Sequence, residues 1–182
     1  MRYLLAAATV VAASAGSFAD DKGTPITLAG MKSTTPAGWK DVTDSLTGNF
    51  RPTAQFQLPP ADGDKEAAVL AIFKLTGSGT EDQNLERQRA KFLPAAGKSK
   101  LDEKKDKIKV GTIEATYQDI SGILKKKPFP QSEKFTPVPG QRQLYVLFDS
   151  KDGDSYYVRL LGPEKTVQKH KKEFEEWLKN FK

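Results

Sequence analysis

The chain has 182 residues, with 29 Lys and Arg against 23 Asp and Glu, a formal net charge of +6, one histidine and no cysteine. That length suits one domain with a real core, and the missing cysteine excludes disulfides, thiol nucleophiles, thiolate metal sites and iron–sulfur clusters. The modest basic excess fits an acidic partner surface such as a membrane, a polyanionic glycan or an acidic protein, or else lysines that simply keep the chain soluble.

Arg2 precedes an apolar run from Leu4 to Ala13, and small residues end it at Ser17-Phe18-Ala19. These three parts predict a cleavable secretory signal over 1–19 and a single α+β domain over 20–182, exported to the periplasm or beyond. The apolar run is shorter than the roughly 20 residues a membrane-spanning helix needs, and no later segment is apolar enough to span. An exported protein rarely meets nucleic acid, so none is expected as a partner.

Ile26 and Leu28 alternate over Thr24 to Met31 and predict a short strand. Thr34-Thr35-Pro36-Ala37-Gly38 reads as a turn, and Trp39 after it is expected to plug one edge of the core. Phe50 to Leu58 reads as a strand ending at Pro59-Pro60, and the apolar Ala67 to Leu75 as a central strand buried on both faces. Thr80 and Gln83 match a capping box for a helix from Glu81 to about Phe92, with Leu85 and Phe92 as its core contacts. Gly97 to Lys107 is charged, poorly patterned and expected to be a loop.

From Thr112 the period is two, with Ile113, Ala115 and Tyr117 facing one way; the apolar phase shifts at Asp119, which predicts a bulge before Ile120. Lys125 to Gln141 carries four prolines and reads as a long loop. Gln143 to Phe148 and Tyr156 to Leu161 are two strands joined through Asp152-Gly153, a hairpin signal. Gly162 and Pro163 open a terminal helix that sets Val167, His170, Phe174, Trp177, Leu178 and Phe181 on one face. The sum is a mainly antiparallel sheet of about six to seven strands packed by two helices, the longer one C-terminal.

Several stretches are shared with a known group. Pro36-Ala37-Gly38-Trp39-Lys40, Ala54 to Pro59, Gly63-Asp64, Asn84-Leu85-Glu86-Arg87 with Phe92, and Leu161-Gly162-Pro163 with Lys165-Thr166-Val167 and His170-Lys171-Lys172 occur in this order. In them the chain resembles small exported proteins of planctomycete-type bacteria, a family without an established activity. Gln88 departs from the pattern, since those relatives tend to carry tryptophan there. More distantly, the order of elements is similar to the fold of the photosystem II protein PsbP and the Ran-binding protein Mog. That resemblance implies a non-enzymatic scaffold or binding domain, by fold analogy alone.

The chemistry-bearing residues are few. His170 stands alone, as a packing residue with a polar tip or as a base or metal ligand lacking a nucleophile and co-ligands. Gly77-Ser78-Gly79-Thr80 is a flexible link or a weak anion cradle without a nucleotide-loop lysine. Asp149, Asp152 and Asp154 suit a turn better than calcium. The stretch 125–141 is the preferred functional element: Lys125, Lys126 and Lys127 with Phe129 and Phe135 offer apolar anchors among cations, and its prolines limit the entropy lost on binding. A solvated connector is the other reading of that stretch. The expectation is a non-catalytic binding or interaction domain without cofactor, its partner a protein or an acidic envelope component. The alternative is a small-ligand carrier or enzyme with a pocket between sheet and helix.

Overall fold

The computed structural model describes residues 22–46, 51–77, 79–129 and 131–182. The segment 1–19 read as an export signal lies outside the described residues.

Strands β1 (Pro25–Leu28) and β2 (Met31–Thr34) form a small hairpin of their own. The single strand expected over 24–31 breaks at Ala29 and Gly30, both at positive φ (49° and 80°). Two such residues between paired strands make the turn whose twist matches a hairpin. Ala29 hides the signal, because an alanine there is unusual. The hairpin is tied to the C-terminus, where the Lys32 amide donates to the Lys182 carbonyl (2.6 Å) and the Lys182 amide to Lys32 (3.0 Å).

Among the described residues the main sheet has eight strands, and every pairing in it is antiparallel. These are β3 (Lys40–Asp41), β4 (Ala54–Leu58), β5 (Ala68–Leu75), β6 (Phe92–Leu93), β7 (Asp102–Val110), β8 (Ile113–Lys126), β9 (Thr136–Asp149) and β10 (Ser155–Pro163). They run in the order β3-β4-β5-β10-β9-β8-β6, with β7 also paired to β8. Helix α1 (Glu81–Arg89) links β5 to β6, and helix α2 (Glu164–Lys179) closes the chain. The α+β architecture and the longer C-terminal helix are as the sequence implies.

Helix α2 covers one face of the sheet. Phe56, Leu58, Leu70, Ile72, Leu144, Val146 and Leu160 meet Val167, Phe174, Trp177, Leu178 and Phe181 in one buried cluster. Trp39 plugs its edge, packed edge-to-face on Trp177 with centroids 5.4 Å apart. Pro163, which starts the helix, offers no side-chain cap. Asp64, distant in sequence, supplies one: its Oδ2 accepts from the Thr166 amide (3.0 Å) and hydroxyl (2.7 Å). A carboxylate there also complements the positive end of the helix dipole.

Three expectations about the middle of the chain are corrected. Of the stretch 97–107 expected to be a loop, residues 102–107 belong to strand β7, which runs on through 108–110. It pairs only with β8 and lies mostly exposed, so no apolar alternation marks it, while its lysines suit a sheet edge. There is no bulge at Asp119; β8 and β9 stay in register through Gly122, and the irregularity falls between Gly122 and Leu124. The apolar phase changes because Asp119 is held by polar partners on the α2 face while Ile120 is buried on the other. Nor is 125–141 a long loop. Strand β8 continues to Lys126 and β9 starts at Thr136, forming a two-stranded arm whose connection spans only 127–135. Pairing with β10 ends at Gln141, so this stretch of β9 has no β10 beside it and tolerates Pro137 and Pro139. Finally, α1 stops at Arg89, and Phe92 is buried in β6 rather than on the helix.

Candidate functional site

Side chains alternate across a strand. Because Ile72, Val146, Val158 and Leu160 face α2, their neighbours Phe73, Tyr145, Tyr157, Arg159 and Leu161 face the opposite way. Helix α1 covers only part of that second face. Its capping box is formed, with Thr80 Oγ1 accepting from the Gln83 amide (3.3 Å) and Gln83 Oε1 from the Thr80 amide (3.0 Å). Leu85 sits on Tyr145, Leu147 and Tyr157, and its carbonyl accepts from Gln118 Nε2 (3.2 Å). Between α1, the sheet and the β8–β9 arm lies a basin of about 780 Å³. That is the size of a site for a small organic ligand.

The basin floor is aromatic. Tyr145 and Tyr157 stack at 6.1 Å with their planes 23° apart, and Phe73, Leu75 and Leu161 extend the surface. Arg159 stands among them, with its guanidinium 5.7 Å from the Phe73 ring centroid. It pairs across the sheet with Tyr145 on one side and Ala71 on the other, so no acid flanks it. Its Nε is buried and has no hydrogen-bond partner among the described residues. Burial lowers the Arg159 pKa below its ordinary value, against the opposing influence of Tyr145.

The walls add further cations. Lys91 follows α1 and donates to Gln88 Oε1 (2.7 Å), while Arg87 donates to Asn84 Oδ1 (2.8 Å). Burial, and then the nearby Arg159 and Arg87, push Lys91 down to about 8. Lys125 and Lys127 complete the set from the arm, beside Pro128 and Phe129. No carboxylate is found among the described lining residues. A cluster of cations held together in this way is electrostatically unfavourable until an anion arrives.

The structure brings three of the five predicted binding residues into this basin: Lys125, Lys127 and Phe129. Lys126 and Phe135 are not part of its lining; Lys126 pairs opposite Thr136, and Phe135 precedes β9 with 41% of its surface exposed. Gln88 lines the wall and bonds Tyr145 as well as Lys91. Sequence reasoning missed Phe73, Lys91, Tyr145, Tyr157 and Arg159. A signal existed for Arg159, a lone cation in an apolar strand.

The other candidates have structural partners. His170 is buried under α2, its Nε2 2.8 Å from the Pro59 carbonyl and its Nδ1 3.1 Å from Glu173. Glu173 also accepts from Trp39 Nε1 (3.0 Å), joining the helix to the core edge. Asp154 pairs with Lys74 (2.8 Å) and Thr76 (3.0 Å), and Asp149 accepts from Ser155 (2.6 Å). On the α2 face, Asp119 takes two hydrogen bonds from Arg142 (2.8 and 2.6 Å) and one from Lys171 (2.6 Å). Burial pushes its carboxyl up, but the bonds from Arg142 and Lys171 together outweigh it and hold it below its ordinary range. Tyr117 extends this network by donating to Glu175 (2.9 Å).

No protein-family model matches the chain, and no curated protein does. Among solved structures it is similar to LpqN, described as involved in cell envelope biogenesis of Mycobacterium tuberculosis. The identity is 15% and the TM-score 0.48, over 90% of this chain and 86% of that one. No helix among the described residues is long and apolar enough to cross a membrane.

Proposed function

We propose that the protein is an exported, non-catalytic binding domain and that the basin between α1, the sheet and the β8–β9 arm is its ligand site. The partly covered basin with an aromatic floor carries this reading. Small-ligand sites are concave, lined mostly by apolar and aromatic side chains with a few polar groups among them, as this basin is. Export rests on the pattern of residues 1–19, and kinship with the planctomycete-type family on the shared stretches. The test is binding of Nile red, a neutral apolar dye, to the purified protein. Saturable binding that is lost on filling the floor with Leu161→Trp, at unchanged circular dichroism, supports the reading. Dye binding untouched by that substitution contradicts it.

A second reading assigns the arm tip to a partner protein or an acidic envelope surface. It is favoured by Phe129 and Phe135, exposed by 59% and 41% beside three lysines. Capture from envelope extract by the intact chain, but not by one shortened at the tip, supports it; equal capture by both counts against it.

A further inference from the structure

We infer that the basin takes an amphiphile with an apolar body and one anionic head, and that the head seats on Arg159. This deepens the proposed function and rests on the basin being a ligand site. The first observation is position. Arg159 rises from the floor of the cavity rather than its rim, between Tyr157 and Leu161 along β10 and between Tyr145 and Ala71 across the sheet. A cation at such a place has lost much of its water and gained, among the described residues, the face of Phe73 and the neighbourhood of Tyr145 in return. Its buried Nε still lacks an acceptor among the described residues.

The second observation is the company it keeps. Arg87 and Lys91 close from the helix side, and Lys125 and Lys127 from the arm. The described lining holds no acid to neutralise them. Amide oxygens of Asn84 and Gln88 orient Arg87 and Lys91 but carry no charge. A carboxylate or phosphate head can accept from the guanidinium in two parallel bonds. The remaining surface is aromatic and aliphatic, so the rest of the ligand is apolar.

The alternatives fit less well. A cationic ligand meets five positive side chains. A neutral apolar ligand can fill the basin but leaves Arg159 Nε without an acceptor, so it binds less tightly than one with an anionic head. A bare inorganic anion leaves the partly exposed Phe73, Leu75 and Leu161 wet. An acyl chain ending in a carboxylate satisfies both halves of the site.

The experiment compares laurate, dodecanol, dodecyltrimethylammonium and inorganic phosphate as displacers of Nile red from the purified protein, with R159Q beside it. The inference predicts that laurate binds about tenfold or more tighter than dodecanol, and that the dodecyl cation and phosphate are poor displacers. R159Q lowers laurate affinity at least about tenfold more than it lowers dodecanol affinity. Equal displacement by laurate and dodecanol, or equal losses in R159Q, overturns the anionic head while leaving the basin a ligand site. Phosphate displacing as well as laurate overturns the apolar body. Nile red failing to bind at all removes the ligand site and this inference together.

Discussion

Lys91 offers a direct way to weigh function against stability. Its ammonium is pushed down to about 8 by burial and by the neighbouring Arg159 and Arg87. The unfolded chain returns it to 10.5, so folding must hold a charged lysine where the charge is disfavoured. The sign follows: between about 8 and 10.5 the unfolded state binds more protons, so stability rises as pH rises through that window. Below it, at pH 7, the full penalty of roughly 3 kcal/mol is present. The Gln88 bond at 2.7 Å and the partial exposure of the stem offset part of it. Lys91→Met removes the charge, keeps the stem and leaves Gln88 its bond to Tyr145. It is expected to raise stability at pH 7 by about 1–2 kcal/mol. The gain should shrink as pH rises from 7 to 10. Urea unfolding followed by circular dichroism at pH 7 and at pH 10 reads both numbers. A Lys91→Met variant less stable than the parent at pH 7 would refute the claim that the basin stores an uncompensated charge.

Three further outcomes follow from the same geometry. Asp119→Asn is expected to cost about 2–3 kcal/mol at pH 7, by stripping Arg142 and Lys171 of their carboxylate. Because that carboxyl is held low in the folded state, the difference between parent and variant should be full above about pH 4 and fade as pH falls further, as acid titrations of urea midpoints will show. Thr166→Val removes the hydroxyl that bridges Asp64 and the Ala61 amide, and should lower stability by about 1 kcal/mol in thermal unfolding with α2 still formed. Replacing 127–135 by Asn-Gly closes the arm at the existing Lys126–Thr136 pair; the fold should survive with its far-ultraviolet spectrum intact, while Nile red binding weakens through loss of Lys127, Pro128 and Phe129.

The α2 side of the molecule was largely legible from its residues. The helix face from Val167 to Phe181 and the Trp39 plug each follow a single local pattern and appear in the structure, as does the Thr80–Gln83 box on the opposite face, whereas β5, expected to be buried on both faces, leaves Phe73 and Leu75 partly exposed on the basin floor. What was not legible arises from partners far along the chain. Strand β7 has no inward pattern because its side chains are mostly exposed, with only Val110 buried. The arm looked like loop because prolines usually end strands, yet they stand where β9 has left β10. Asp119 looked like a break in phase because Arg142 and Lys171, its partners, lie 23 and 52 residues away.

The candidate site shows the same limit. Lys125, Lys127 and Phe129 were visible as a local cluster of cations and an aromatic. Their meeting with Lys91 and Arg159 depends on β8 and β10 lying on either side of β9 in one sheet. The tyrosines of the floor alternate with core residues along β9 and β10, and nothing local says that their own face is only partly covered.

The most direct test of the central claim is chemical-shift mapping of the isotopically labelled protein as laurate is added. The account predicts saturable shifts concentrated at Arg87, Gln88, Lys91, Tyr145, Tyr157 and Arg159, with the α2 face from Val167 to Leu178 unmoved. Shifts confined to the α2 face or to the 150–154 turn, or none at millimolar laurate, would contradict it.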